Sequence, residues 1–203
     1  MTRHTPSAAE ADWLAAYRHI GSSTIGHFGR EGWLPGLLPL HPGTQVAGRA
    51  FTVAVHAPDG AILRDALCAC PPGAVLVVAC QGEPGCACWG ELRTLAALVK
   101  GLAGVVVDGP VTDLRALREL PLPIFCEGAS AYTTRALGGA GAIEVPVQVR
   151  GVAIHPGDLI IGDDDGVQVL RPAQAIAGLP AFQRKEHADA QRRAELRARL
   201  RLA

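Results

Sequence analysis

Two acidic residues stand at the starts of two predicted helices, where they could take part in metal chemistry. Glu91 follows a glycine-rich stretch, and Asp113 follows a buried strand and a short loop. Asp108 ends that strand, and open α/β sheets bind ligands at the carboxyl ends of their strands. Such carboxylates suit Mg²⁺ held mostly through water, and the ion would polarise a carbonyl group. The first-turn amides of the Glu91 helix could also bind an anion.

Ordinary helix capping explains the same residues without any chemistry. Glu91 would then complement the helix dipole, and Thr112 or Asp113 would be the N-cap of the second helix. The residues and their spacing leave both interpretations open.

The cysteines and histidines offer fewer candidates. Six cysteines stand at positions 68, 70, 80, 86, 88 and 126, and we expect reduced thiols. Cys80, Cys86 and Cys88 could supply three thiolates, but no Cys-x-x-Cys pair occurs, so buried structural cysteines are favoured and zinc is not expected. His27 is the histidine we expect to be functional, because His155 precedes a Pro-Gly turn.

The elements that position these residues alternate between strand and helix. A capping box at Ser7 and Glu10 predicts a helix over about 8–19. Strands are predicted from residue 46 and over 74–79, 105–107 and 124–126, with helices over 61–69, 91–100 and 113–120 between them. Short strands follow over 145–149, 152–154, 159–161 and 167–170, and then a basic helix over about 181–201. The pattern predicts an α/β domain with a largely buried sheet.

Composition limits the classes of function. The chain has 203 residues, enough for one domain (1–203), with 49% hydrophobic residues and 19 basic against 19 acidic side chains. Disorder is therefore excluded, and no apolar run is long enough to span a membrane. No secretory signal is visible, so we expect a cytoplasmic protein. Residues 184–203 carry seven basic and three acidic residues, but no aromatic residue lies between them, and nucleic acid is not expected as a partner. The expected partner is a small molecule or a protein.

Several sequence blocks, in order along nearly the whole chain, resemble the RraA-like family. That family contains the regulator of ribonuclease activity A and the class II pyruvate aldolases that act on 4-hydroxy-4-methyl-2-oxoglutarate and 4-carboxy-4-hydroxy-2-oxoadipate. The blocks are PLHPGTQVAGRAFTV at 39–53, WGEL at 89–92, VDG at 107–109 with Asp113, IHPGDL at 154–159 and DDDGV at 163–167. The resemblance implies a compact αββα-type sandwich similar to swivelling phosphohistidine-type domains. It also implies homotrimers or homohexamers with sites between subunits.

The resemblance also implies roles for individual residues. Aldolase members carry an acidic residue, twenty intervening positions and then Arg-Asp; here Glu91 and Asp113 fill the acidic places, and Thr112 replaces the arginine. Asp113 and Glu91 would place Mg²⁺ or Mn²⁺. The amides of Leu92 and Arg93, next to Gly90, would cradle the substrate. Glu186 would complete the site of a neighbouring subunit.

The loss of the arginine leaves three interpretations of Thr112. A charge-assisted contact to a substrate carboxylate is worth roughly 1.5–3 kcal/mol, so ordinary pyruvate aldolase activity is not expected. The substrate could lack that carboxylate, with Thr112 donating a neutral hydrogen bond. Arg93 or Arg115 could reach the site instead, or catalysis could have been abandoned.

Two further departures change the polar lining. Cys80 stands where the family often has Asp, and residues 23–27, which include His27, replace a segment that usually contains Asp. We therefore expect a metal-dependent lyase that cleaves or decarboxylates an α-keto or related acid with a non-standard substrate. The alternatives are a non-catalytic protein-binding scaffold, and a specialised reaction in a pocket lined by Thr112, Cys80 and His27.

Overall fold

The structure, a computed structural model, describes residues 14–139 and 141–200. After a 3₁₀ turn at Tyr17–His19, its helices are α1 Ser22–Gly26, α2 Ile62–Ala69, α3 Glu91–Lys100, α4 Leu114–Leu117 and α5 Pro172–Leu200. Its strands are β1 Trp33–Leu34, β2 Leu38–Pro39, β3 Val46–Ala57, β4 Val75–Gly82, β5 Gly104–Asp108, β6 Pro110–Val111, β7 Ile124–Cys126, β8 Gly128–Ala129, β9 Gly141–Ile143, β10 Val147–Val149, β11 Val152–Ile154, β12 Leu159–Asp163 and β13 Gly166–Leu170.

Nine strands form one mixed sheet around a parallel centre. The order is β1-β13-β12-β3-β4-β5-β7-β2, and β9 also pairs with β3. Strands β3, β4, β5 and β7 are parallel, and the pairs at both edges are antiparallel. Ala79 of β4 pairs with Asp108, the last residue of β5, so Cys80 lies in β4 next to the carboxyl end of β5.

The parallel strands are buried on both faces, which explains their continuous apolar runs. Phe51, Val53 and Val55 of β3 belong to a core under the helices, together with Leu63 of α2 and Ala97 of α3. The opposite face forms a second core with the β10–β11 hairpin and the antiparallel edge strands. The sheet therefore lies between a helical layer and a β layer.

The mixed α/β class predicted from the sequence is confirmed. The short elements α1, β1, β2, β6, β8 and β9 were not predicted, and several predicted elements differ at their ends. Helix α4 is shorter than the predicted 113–120: it begins after Asp113, whose φ of 56° lies outside the helical region, and it ends at Leu117. Helix α5 starts earlier than expected, at Pro172, a residue suited to the first turn. Of the predicted helix 8–19, residues 14–16 are helical; the capping box at Ser7 and Glu10 lies outside the described residues.

Helix α5 is long and polar. Only Ala175 and Phe182 among its 29 residues are buried, and Lys185 pairs with Asp189. In the described ranges, no helix is both long and apolar enough to cross a membrane.

Candidate functional site

The carboxylate of Asp113 lies at the N-terminus of α3. Its Oδ2 accepts a hydrogen bond from the Glu91 amide at 3.0 Å, although Asp113 itself precedes α4. The backbone of Thr112 donates to the Trp89 carbonyl at 2.8 Å and joins the same two loops. Asp113 occupies the N-cap position of α4, one of the two positions that the capping alternative allowed, but its side chain makes no capping hydrogen bond to α4. The structure thus brings Glu91, Thr112 and Asp113 together.

Gly90 is what allows this close approach. A Cβ atom at Gly90 would lie 2.5 Å from Asp113 Oδ2 and 2.7 Å from Thr112 Cγ2. Both distances are too short for a real contact. The backbone of Gly90 is extended, with φ −159° and ψ −165°, a conformation that other residues also adopt. Glycine is therefore required at this position because a side chain would clash, and not because of the backbone conformation.

The guanidinium of Arg93 contacts backbone carbonyls near the start of α3. Its Nη1 donates to the Cys88 carbonyl at 2.8 Å and its Nη2 to the Gly60 carbonyl at 3.3 Å. Burial lowers the pKa of this guanidinium. Arg115, the other arginine considered as a replacement, is exposed on α4. The amides of Leu92 and Arg93 stand in the first turn, where amides have no acceptor within the helix.

An ion-pair cluster occupies the carboxyl end of β5. Arg150 Nε lies 2.8 Å from Asp108 Oδ1, and Arg150 Nη2 lies 3.0 Å from Glu127 Oε2. Burial raises the pKa of Asp108, and the Arg150 guanidinium opposes that rise. Arg150 and Glu127 were not predicted as site residues from the sequence. The available signal was the Arg150-Gly151 pair between two short strands, which is typical of a turn, and Arg150 has a φ of 50°.

Cys80, at the end of β4, is half-buried and lies beside the buried Cys88. The hydrogen bond from the Cys88 thiol lowers the pKa of Cys80, although burial opposes this. The same bond, together with burial, raises the pKa of Cys88. Cys80 therefore carries more thiolate character than an ordinary cysteine.

Glu186 and His27 do not join Asp113 within one subunit. Glu186 Oε1 accepts hydrogen bonds from the Gly21 amide at 2.9 Å and from Thr24 Oγ1 at 2.6 Å, at the start of α1. His27 follows α1 and is exposed. The role of Glu186 in a neighbouring subunit stays a prediction.

The donor set limits which metal could bind here. No group of three or more His, Cys, Asp or Glu side chains that could hold a metal ion occurs in 14–139 or 141–200. Mg²⁺ keeps several waters and needs only one or two carboxylates. Asp113, next to the backbone of the exposed Glu91, fits that kind of coordination.

An apolar surface adjoins the start of α3. Leu92, Leu95 and Val99 are exposed, Leu92 at 80% and Val99 at 89% of their surface. A mostly apolar cavity of about 530 Å³ lies beside them, between α2 and α3, and Arg93 is in its wall. Contiguous exposed apolar residues of this kind mark interaction sites.

Comparison with known proteins gives a consistent result. The sequence pattern of the RraA-like family (Aldolase/RraA) matches residues 14–169. A Halalkalibacterium halodurans protein provisionally named 4-hydroxy-4-methyl-2-oxoglutarate aldolase is 36% identical over 185 residues, 90% of this chain and 88% of that one. A Thermus thermophilus protein named 4-hydroxy-4-methyl-2-oxoglutarate aldolase is 37% identical over 126 residues, 62% of this chain and 76% of that one.

A solved structure shares the fold. Streptomyces coelicolor RraAS2, described as an unusual member of the RNase ES inhibitor RraA protein family, matches with a TM-score of 0.78 and 30% identity. The match covers 94% of this chain and 99% of that one.

Proposed function

Since this chain belongs to the RraA-like family, whose members include proteins named as aldolases, we propose that it is a divalent-metal-dependent lyase. Its reaction would be C–C cleavage or decarboxylation of an α-keto or related oxygenated small acid. The observation that carries the proposal is the Asp113 carboxylate fixed across the N-terminus of α3.

Asp113 is held in an unusual backbone conformation. A non-glycine residue at positive φ costs of order 1–3 kcal/mol and persists only where its surroundings impose it. The resulting position places one carboxylate oxygen on the Glu91 amide. We propose that Asp113, with Glu91 beside it, holds Mg²⁺ or Mn²⁺ through water. The ion would polarise the substrate carbonyl and so favour bond cleavage next to it.

Thr112 sets the kind of substrate. A hydroxyl can donate one neutral hydrogen bond but cannot form the bidentate, charge-assisted pair that an arginine makes with a carboxylate. The substrate therefore differs from a pyruvyl compound bound through Arg at this position. Its negative charge is absent there or is recognised elsewhere.

The exposed apolar residues of α3 support a homo-oligomer, a trimer or hexamer, with sites between subunits. Leu92 and Val99 lie on the helix that begins at the site, so a second copy seated on them would also enclose Asp113. Burying these apolar side chains between two subunits would stabilise the oligomer by about 25 cal/mol per Å² of apolar surface removed from water. Glu186 of such a neighbour would be available to the site if it left its contacts with α1.

Isothermal titration tests the lyase proposal directly. Mg²⁺ with oxalate, a planar mimic of an enolate, is titrated into the wild type, Asp113→Asn and Thr112→Arg. Metal-dependent oxalate binding is expected in the wild type, lost in Asp113→Asn and strengthened in Thr112→Arg. Asp165→Asn, which removes an exposed carboxylate far along the sequence, is the matched control. Binding that Asp113→Asn leaves unchanged would overturn the proposal.

The second candidate is a non-catalytic scaffold. It is favoured by the likeness to an RNase inhibitor family member and by the exposed basic end of α5. This function predicts that neither the wild type nor Thr112→Arg binds metal and oxalate together.

A further inference from the structure

Arg93 is a partly buried positive charge whose contacts are neutral. Both hydrogen bonds of its guanidinium go to backbone carbonyls, those of Cys88 and Gly60. In the part of the chain that the structure describes, no ion pair joins Arg93 to an acidic side chain. A buried charge without a counter-charge is costly. A guanidinium has five N–H donors, so three remain for another acceptor.

The surroundings of Arg93 contain a second unsatisfied group. The hydroxyl of Thr134 is buried, and none of the residues that the structure describes forms a hydrogen bond with it. A Cβ atom built on Gly60 would lie 2.5 Å from Thr134 Oγ1 and 2.9 Å from Arg93 Nη2. The two groups therefore flank the same small space, which glycine leaves open at position 60.

A cavity gives a ligand access to this side of α3. The cavity of about 530 Å³ between α2 and α3 has mostly apolar walls, with Arg64, Asp65 and Arg93 as its charged residues. Such a volume lies within the range of small-molecule sites. With two basic residues and one acidic residue, its charge favours an anion with an apolar body.

We propose that Arg93 binds a carboxylate of the substrate, which would be an organic acid with a short apolar chain. The substrate would lie across the start of α3, with its oxygenated carbon toward Asp113 and its carboxylate toward Arg93. Arg93 would thus supply the charge that Thr112 cannot. This inference rests on the proposed function only in taking the bound acid to be part of the substrate.

The test uses glutarate, a five-carbon dicarboxylate, titrated without metal into the full chain. Wild type is expected to bind it, and Arg93→Gln to weaken binding by about 10- to 100-fold, the effect of losing a hydrogen-bonded charge. Arg93→Lys keeps the charge and should lose less. Arg115→Gln, which removes an exposed arginine of α4, is the matched control and should change binding less than twofold. Thermal unfolding of each variant checks that it is folded.

The outcomes separate this inference from the lyase proposal. If Arg93→Gln does not fold, Arg93→Lys is compared with the wild type, and it should bind glutarate more weakly because an ammonium cannot form the forked pair of a guanidinium. Glutarate binding that a folded Arg93→Gln leaves unchanged, or no binding by the wild type, overturns the inference. Loss of glutarate binding together with intact Mg²⁺–oxalate binding supports a separate anion subsite. Absent Mg²⁺–oxalate binding with Arg93-dependent glutarate binding would refute the lyase and leave the anion subsite standing.

Discussion

Replacing Gly90 with alanine should uncouple Asp113 from α3. The new Cβ would lie 2.5 Å from Asp113 Oδ2 and 2.7 Å from Thr112 Cγ2, so the carboxylate must move away from the Glu91 amide. Overpacking costs about 1–3 kcal/mol. The lost hydrogen bond is exposed, so it contributes only about 1 kcal/mol. We expect Gly90→Ala to lower the free energy of unfolding by about 2–4 kcal/mol.

A double-mutant cycle with Asp113→Ala isolates the contact. In that background the carboxylate is absent, so Gly90→Ala should cost about 1–2 kcal/mol less than in the wild type. Any intrinsic difference between glycine and alanine at the helix start is common to both arms and cancels. The cycle therefore measures the coupling between the two positions alone.

The assay is urea denaturation followed by Trp fluorescence, since Trp89 is buried directly beside Gly90. Protein concentration is held constant, because an oligomer's apparent stability depends on it. Additivity of the two substitutions within about 0.5 kcal/mol would refute the placement of Asp113 on α3.

Two further predictions concern the surface and the thiols. Val99→Glu should reduce the mass measured by light scattering after gel filtration, because it places a charge in the proposed interface. The control Ile176→Glu, at an exposed position of α5, should leave the mass unchanged. An unchanged mass for Val99→Glu would contradict the interface. Because the pKa of Cys80 is lowered by Cys88, alkylation of Cys80 should begin at lower pH than for an ordinary thiol, and Cys88→Ala should shift its pH profile upward. Mass spectrometry of the alkylated peptides measures both profiles, and identical profiles would show that Cys88 does not act on Cys80.

The strands and helices were largely predictable because their signals are local. The alternating residues of β3 and the apolar runs of β4, β5 and β7 follow from burial on one or both faces of a sheet. The start of α3 at Glu91 was placed correctly. The start of α4 was predicted one residue too early, because Asp113 has a positive φ and its carboxylate contacts α3, which no local pattern reveals.

The sequence by itself determined the α/β class, the order of the elements and the residue types gathered at the strand ends, because hydrophobic periodicity and turn residues act over a few positions. Only the tertiary structure decided which helix the Asp113 carboxylate meets and that Arg150 pairs with Asp108 and Glu127. It also decided that Arg93 faces the carbonyls of Cys88 and Gly60. Those contacts join residues from 5 to 42 positions apart, and the packing of the sheet against its helices sets the distances between most of them.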